Sequence, residues 1–224
     1  VAIAQSTPMS VTPETFIRAE VDARIMTFQQ AGGLNKGLVY SNVTPTDSQP
    51  VPRMNRDTIY SGIPIDTAEG FSIVLPQVSD GRYASIYMLD QDHYSIDILR
   101  EPGTYEFAPQ DTRYIVAIAR VQIKDAGDES DLNIARKFLS EVKVESGSKV
   151  PLEVSWNWEE MTALRAGYEA KMSEFAQYPP TFQDTRASGK TTPEHHRIAV
   201  AGSWGLFPDY ETVYISDMAD GGTD

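Results

Sequence analysis

The amino-acid sequence predicts an α+β fold that is mostly β, an antiparallel jelly-roll-like sandwich with helical covers. Residues 57–123 contain runs of β-branched and aromatic residues, separated by turn signals at Ser79-Asp80-Gly81 and Glu101-Pro102-Gly103 at the spacing of meandering strands. Apolar residues recur at helical spacing on both sides of this block, which indicates an N-terminal helix and two or three helices in the C-terminal half. A hydrophobic content of 41% in 224 residues is sufficient for a core.

The N-terminal helix is predicted at residues 13–31. Thr12 is the expected N-cap, Pro13 the first helical residue, and Gly32-Gly33 the stop. Prolines and polar residues between 34 and 52 predict an extended connector after it. The helix presents one apolar stripe, formed by Ile17, Val21, Ile25 and Phe28.

The remaining elements follow from the change of apolar period along the chain. Strands are predicted at 71–75, 82–89, 93–99 and 113–123. The period then becomes helical, which predicts a helix from Ser130 or Asp131 to about Gly147, a second over 158–178 and a short third near 194–202. A last strand is predicted at 212–215.

The domain organisation expected from this pattern is one β-rich domain with helical covers at 12–216 and a tail at 217–224. Residues 1–11 are expected to be a flexible N-terminus or the remnant of a signal peptide, because Ala2-Ile3-Ala4 has the small-x-small pattern of a cleavage site. Together with the acidic composition and the lack of cysteine, this pattern favours a periplasmic or secreted location. An ordinary frayed terminus is the alternative.

Composition excludes several classes of function. Lys and Arg number 19 against 32 Asp and Glu, a net charge of −13, so the basic surface that nucleic acids require is missing. No apolar run is long enough for a membrane span, and zero cysteines exclude disulfides and thiolate metal sites. No metal or other cofactor is expected, since His195-His196, two of the three histidines, point about 100° apart on a helix.

The densest polar cluster runs from Arg53 to Ser61, at the start of the predicted β block. A guanidinium beside an amide and a carboxylate suits a carboxylate, a sulfate or vicinal hydroxyls, and carboxyl and phenol groups can transfer protons. The alternative is structural, with Asp57 paired to a neighbouring arginine. The candidate substrate-binding residues here are Arg53, Asn55 and Arg56, and the candidate catalytic residues are Asp57 and Tyr60.

A second cluster is Asp90-Gln91-Asp92-His93-Tyr94. Histidine titrates near neutral pH, so Asp92 and His93 are further candidates for proton transfer. Tyr94 and Trp204 complete the candidate substrate-binding set. The alternative is a plain turn between two strands. Gly202-Ser203-Trp204-Gly205 is the nearest approach to a serine nucleophile elbow, but it follows a predicted helix and not a strand.

These segments together resemble a bacterial family known as domain of unknown function 1254. The resemblance implies a β-rich, jelly-roll-like fold and frequent export, but no settled activity. It also implies a following domain, domain of unknown function 1214, where this chain stops, so we expect a homo-oligomer or a companion β-domain chain. The resemblance rests on Asn35-Lys36, Arg53 to Ser61, Arg82-Tyr83, Asp90 to Tyr94, Pro102 to Tyr105, Thr112 to Tyr114, and Gly202 to Gly205 with Tyr214.

The function expected from these residues is a hydrolase or lyase acting on a small polar or saccharide-like ligand. This expectation depends on the two polar clusters meeting at one hollow across neighbouring strands. The alternative is a non-catalytic module that binds a ligand or assembles through its sheet edges.

Overall fold

Two antiparallel sheets and four helices make up the part of the chain that the structure describes. This computed structural model describes residues 7–45, 54–174, 185–189 and 191–205. The helices are α1 (Phe16–Gly32), α2 (Glu129–Glu141), α3 (Trp158–Ala170), which continues as a 3₁₀ turn at Lys171–Glu174, and α4 (Pro193–Ser203). The strands are β1 (Leu38–Val39), β2 (Thr58–Asp66), β3 (Phe71–Leu75), β4 (Ala84–Asp90), β5 (Ser95–Leu99), β6 (Gly103–Phe107), β7 (Tyr114–Gln122) and β8 (Lys143–Ser146).

The strand order explains how distant segments come together. The larger sheet has the order β1-β2-β7-β4-β5, and the smaller has the order β6-β3-β8. β7 lies between β2 and β4, pairing Ile59 with Val121 and Val121 with Ala84. The α+β class is therefore confirmed, while a jelly-roll sandwich is not confirmed.

The main core lies between the two sheets. Isoleucine side chains of β2, β4 and β7 point to one face of the larger sheet and meet β3 and α2 there. Alternation along each strand creates this apolar face, because successive side chains point to opposite sides. The residues buried in this core include Ile59, Ile63, Ile73, Ile86, Ile115, Leu132 and Phe138.

The opposite face of the larger sheet is covered by α1 and α4. Val21, Ile25 and Phe28 of α1 pack in a second core cluster with Val116 and Ile118 of β7. The helix approaches closely because Gly62 has no side chain there, and a Cβ at that position would lie 2.6 Å from the Phe28 ring. A third cluster joins α1, α3 and α4 through Phe16, Tyr168 and Ile198.

The boundaries of several elements differ from the sequence prediction. α1 begins at Phe16, because the amide of Thr15 donates to the carbonyl of Thr12 and forms a separate turn. α2 ends at Glu141, and residues 143–146 form β8 because they pair with β3. β1 and β6 were not predicted. The apolar stripe of α1, strand β3 and helix α4 agree with the prediction.

Some predicted features lie outside the described residues. These are residues 1–6, residues 46–52 of the predicted connector, residues 175–178 of the second predicted C-terminal helix, and the strand predicted at 212–215. Among the described residues, no helix combines the length and apolar character needed to cross a bilayer.

Candidate functional site

A polar hollow lies at one end of the larger sheet, where β2 begins and β7 ends. We call it the β2–β7 cleft. Thr58 pairs with Gln122 and Tyr60 with Arg120, and directly paired residues of antiparallel strands point to the same face of a sheet. These four side chains therefore share the face that α1 and α4 cover further along. The cleft has a volume of about 210 Å³ and is lined by Asn55, Asp57, Thr58, Tyr83, Arg120 and Gln122.

Arg120 forms the inner wall of this cleft. It is only 8% exposed, and its Nη2 donates to the carbonyl of Gly205. The guanidinium lies 5.8 Å from the ring centre of Tyr60 and 5.7 Å from that of Tyr87. Contacts of a guanidinium with aromatic faces are favourable, and the two rings also restrict its position. The cleft thus contains a cation whose orientation is set by the protein.

The outer wall comes from the bend that precedes β2. The backbone amide of Asn55 donates to the hydroxyl of Tyr60 at 3.2 Å, and the hydroxyl of Thr58 donates to Asp57 Oδ1 at 3.0 Å. Burial raises the pKa of Tyr60, although Arg120 acts in the opposite direction. Tyr60 therefore keeps its proton at neutral pH and is suited to hydrogen bonding and not to acting as a base.

The Asp90 to Tyr94 segment forms a tight turn between β4 and β5. Asp90 Oδ1 accepts the backbone amides of Asp92 and Tyr94, each at 2.9 Å, and the amide of His93 donates to the carbonyl of Asp90. His93 has a φ of +62°, the left-handed conformation typical of turns. This geometry fits the turn interpretation of the segment.

Asp92 is held by two arginines. Its Oδ1 accepts Nε and Nη2 of Arg18, and its Oδ2 accepts Nη2 of Arg186 at 2.8 Å. Burial alone would raise the pKa of Asp92, but the hydrogen bonds from Arg186 and Arg18 outweigh it and lower the pKa. A carboxylate with a lowered pKa and two cationic partners is a poor proton donor. It lines a separate hollow of about 270 Å³ between α1 and α4.

Of the remaining candidates, His93 and Trp204 are buried, whereas Tyr94 is half-buried and lines the same hollow as Asp92. His93 has no exposed surface, and its Nε2 accepts the backbone amide of Gly205 at 3.2 Å. Trp204 is 7% exposed and its ring lies 5.3 Å from the His93 ring. Tyr94 packs against His196 at 4.8 Å and under the guanidinium of Arg186 at 4.7 Å. Trp204 is therefore a core residue and not an accessible stacking platform.

The two polar clusters do not meet, so the expectation that they share one hollow is wrong. Ile59 at the start of β2 is level with Ala84 of β4, whereas Ile65 at its end is level with Asp90. Six residues along a strand correspond to about 20 Å, and this distance separates the two ends of the sheet. Asp57 and Asp92 cannot act as a pair, since paired glycosidase carboxyl groups lie about 5 to 9.5 Å apart.

The predicted residues of the first cluster are only partly gathered in the cleft. Asn55 and Asp57 line it, Tyr60 adjoins it through Arg120, and Arg56 is exposed on the preceding bend. Arg53 lies outside the described residues.

The sequence reasoning missed Arg120 and Gln122. Their signal is that Arg120 and Gln122 are two polar residues at alternate positions of an otherwise apolar strand. Within the described ranges, no group of three or more histidine, aspartate or glutamate side chains is arranged to hold a metal ion.

Comparisons with known proteins support the fold alone. No family model matches the chain, and no curated protein matches it. The resemblance to domain of unknown function 1254 therefore stays a prediction. The chain is similar in structure to the VPA0106 protein from Vibrio parahaemolyticus, with a TM-score of 0.59 and 12% sequence identity over 86% of this chain. The match covers 66% of that longer chain.

Proposed function

We propose that this protein binds a small saccharide or a similar polyhydroxylated molecule in the β2–β7 cleft. The observation that carries the proposal is the lining of the cleft, in which one guanidinium, one carboxylate, two amides, a threonine hydroxyl and a tyrosine phenol surround a hollow of about 210 Å³. Amide, carboxylate and guanidinium groups each present two atoms in one plane, which matches two neighbouring hydroxyls of a sugar.

The size and the charge of the cleft support the same ligand class. Its volume is below the roughly 300 to 1,000 Å³ of sites for drug-sized molecules, so a single sugar ring is the appropriate size. Arg120 and Asp57 give the lining one positive and one negative charge, which favours a neutral ligand with both donors and acceptors. The ring of Tyr83, 45% exposed, offers an apolar face for stacking at the cleft.

The geometry favours binding over catalysis. Among the described residues that line the cleft, Asp57 is the one carboxylate, and Tyr60 beside it has a raised pKa caused by burial. Glycoside hydrolysis uses two carboxyl groups across the scissile bond. The hydrolase or lyase expected from the sequence would need a second acid or base at the cleft, so the non-catalytic alternative is the better supported.

The proposal is tested by titrating the 224-residue protein with methyl glycosides of glucose, galactose, mannose and glucuronic acid, using calorimetry and saturation-transfer NMR. A methyl hexoside with about 13 heavy atoms and about 0.3 kcal/mol of binding energy per atom has a dissociation constant of about 1 mM. We expect at least one glycoside to bind in this range. Asp57→Asn should weaken its binding about tenfold, because a charged hydrogen-bond acceptor is lost.

Asp97→Asn is the matched control, since it makes the same chemical change at an exposed position of β5. It should leave the dissociation constant unchanged. Binding equally weakened by both variants, or absent for all four glycosides, would contradict the proposal. Steady release of methanol from any glycoside, lost in Asp57→Asn, would replace binding by hydrolysis as the function.

The location and the assembly state remain separate proposals. A periplasmic or secreted location and a homo-oligomer or companion β-domain chain are expected from the sequence. Neither bears on the chemistry of the cleft.

A further inference from the structure

The chain leaves α4 through a buried pair of residues, Trp204 and Gly205, that lies on the larger sheet. Gly205 has a φ of +78°, and a Cβ there would lie 2.9 Å from Cδ1 of Ile118. The backbone conformation therefore favours glycine at this position, and an added Cβ would have to displace the end of the Ile118 side chain. Trp204, the other residue of the pair, packs against the ring of His93.

The two hydrogen bonds of Gly205 lead to opposite ends of the sheet. Its amide donates to Nε2 of His93 at 3.2 Å, and its carbonyl accepts Nη2 of Arg120. His93 follows β4 at the far end, and Arg120 forms the inner wall of the β2–β7 cleft. One buried residue thus links a histidine of the second polar cluster to the guanidinium at the first.

We infer that His93 and Gly205 are positioning residues, which hold the Arg120 guanidinium in the orientation that the ligand of the β2–β7 cleft requires. This inference rests on the proposed function of that cleft. A long arginine side chain loses much rotational freedom when it binds a ligand, and contacts that restrict it beforehand improve affinity. The carbonyl of Gly205 and the rings of Tyr60 and Tyr87 supply these contacts.

The bond from Gly205 also defines the chemical state of His93. A backbone amide can only donate, so Nε2 of His93 must be the acceptor, and the imidazole carries its proton on Nδ1. The positioning role requires a hydrogen-bond acceptor at the place of His93 Nε2, where it receives the amide of Gly205. A glutamine can present an acceptor in the same region, whereas a leucine of similar size cannot.

The test compares His93→Gln with His93→Leu in the full chain. Both variants place an ordinary side chain at the same positive φ of +62°, so the backbone strain is matched and the difference between them reports the acceptor. Nitrogen-15 NMR of the arginine side chains, assigned through Arg120→Lys, follows the mobility of the Arg120 Nε–H group. We expect a restricted signal in the wild type and in His93→Gln, and a mobile, shifted signal in His93→Leu.

Gly205→Ala provides a second, independent variant in case His93→Leu fails to fold. Gly33→Ala is its control, because Gly33 also has a positive φ of +97° but has nothing within 4 Å of an added Cβ. Gly205→Ala should release the Arg120 signal, and Gly33→Ala should not. The glycoside that binds the wild type should bind about tenfold more weakly to His93→Leu and Gly205→Ala, and nearly normally to His93→Gln.

The possible outcomes separate this inference from the proposed function. If no glycoside binds but the Arg120 signal depends on His93 as expected, the ligand class is wrong and the positioning role stands. If a glycoside binds and the Arg120 signal of folded His93→Leu is unchanged, the positioning role is wrong and the binding function stands. Nitrogen-15 spectra that place the His93 proton on Nε2 would also overturn the inference.

Discussion

Replacing Arg82 with alanine is expected to lower the free energy of unfolding by about 3 to 5 kcal/mol, the usual effect of breaking a buried ion pair. The Arg82 side chain has no exposed surface. Its Nε and Nη2 donate to the two carboxylate oxygens of Asp80 at 2.8 and 2.6 Å, and Nη2 also donates to Asp131 at 2.5 Å. Nη1 donates to the carbonyl of Gln122 at 3.1 Å.

The large effect follows from what Arg82→Ala leaves behind. Asp131 lies in the first turn of α2 and is 7% exposed, so its charge would remain buried without its cationic partner. Two backbone amides, from Lys124 and Asp125, would still donate to Asp131 but would not neutralise it. The carbonyl of Gln122, at the end of β7, would lose its donor as well. The variant therefore removes the ionic link between α2 and the end of β7, while the apolar contacts of α2 with the core stay in place.

Urea unfolding followed by circular dichroism measures this prediction. Lys137→Ala is the control, because it removes an exposed ion pair with Glu141 at i,i+4, and such pairs contribute little. A decrease in the free energy of unfolding of less than about 1 kcal/mol for Arg82→Ala would be typical of a surface ion pair. It would contradict the assignment of Arg82 to a buried, stabilising ion-pair network.

Asp66→Ala is expected to destabilise the protein by about 2 to 3 kcal/mol at pH 7, less than Arg82→Ala because the Arg113 side chain is 45% exposed and regains water. The Asp66 side chain has no exposed surface and accepts Nε and Nη2 of Arg113 at 3.1 Å each. It also accepts the hydroxyl of Ser148 at 2.5 Å and the amide of Val150 at 3.0 Å. Asp66 therefore joins the end of β2 to the start of β7 and to the segment after β8, and its removal leaves the buried hydroxyl of Ser148 without its acceptor.

The effect of Asp66→Ala should depend on pH in a defined direction. Burial would raise the pKa of Asp66, but hydrogen bonds from Arg113, Ser148 and Val150 outweigh it, and the pKa lies below its ordinary value of 3.8. A carboxyl group with a lower pKa in the folded state stabilises fully above its unfolded pKa. That stabilisation is lost as the pH falls through the folded pKa. The stability deficit of the variant should therefore shrink below a pH of about 4.

The free energy of unfolding of the wild type and of Asp66→Ala is measured with urea at several pH values, and the difference between the two proteins is followed. The stability of the wild type alone does not isolate Asp66, because burial raises the pKa of Asp22 and of Asp90 and these groups change the total stability with pH in the opposite direction. Their contribution is the same in both proteins and cancels in the difference. Asp97→Ala, an exposed carboxylate on β5, should show no such convergence. A deficit that grows on acidification would contradict the assigned role of Asp66.

The sequence by itself determined the features that depend on near neighbours. The four-residue repeat of α1 and the proline at the start of α4 act within one or two helical turns, so both helices were predictable. β3 was predictable for the same reason, since its alternation is visible in five residues. Net charge and the lack of cysteine likewise excluded whole classes of function without any knowledge of the fold.

Only the tertiary structure decided which segments became neighbours. Residues 143–146 are a strand because they pair with β3, about seventy positions earlier, and no local pattern contains that partner. In the same way, β2 pairs with β7, which places Asp57 near Gln122 and Arg120 and about 26 Å along the strands from the Asp90 turn. Cross-strand hydrogen bonds set this register between distant parts of the chain. Strand pairing therefore decides which residues line the cleft. The sequence identifies some of these polar residues one by one, but it does not show that they lie together.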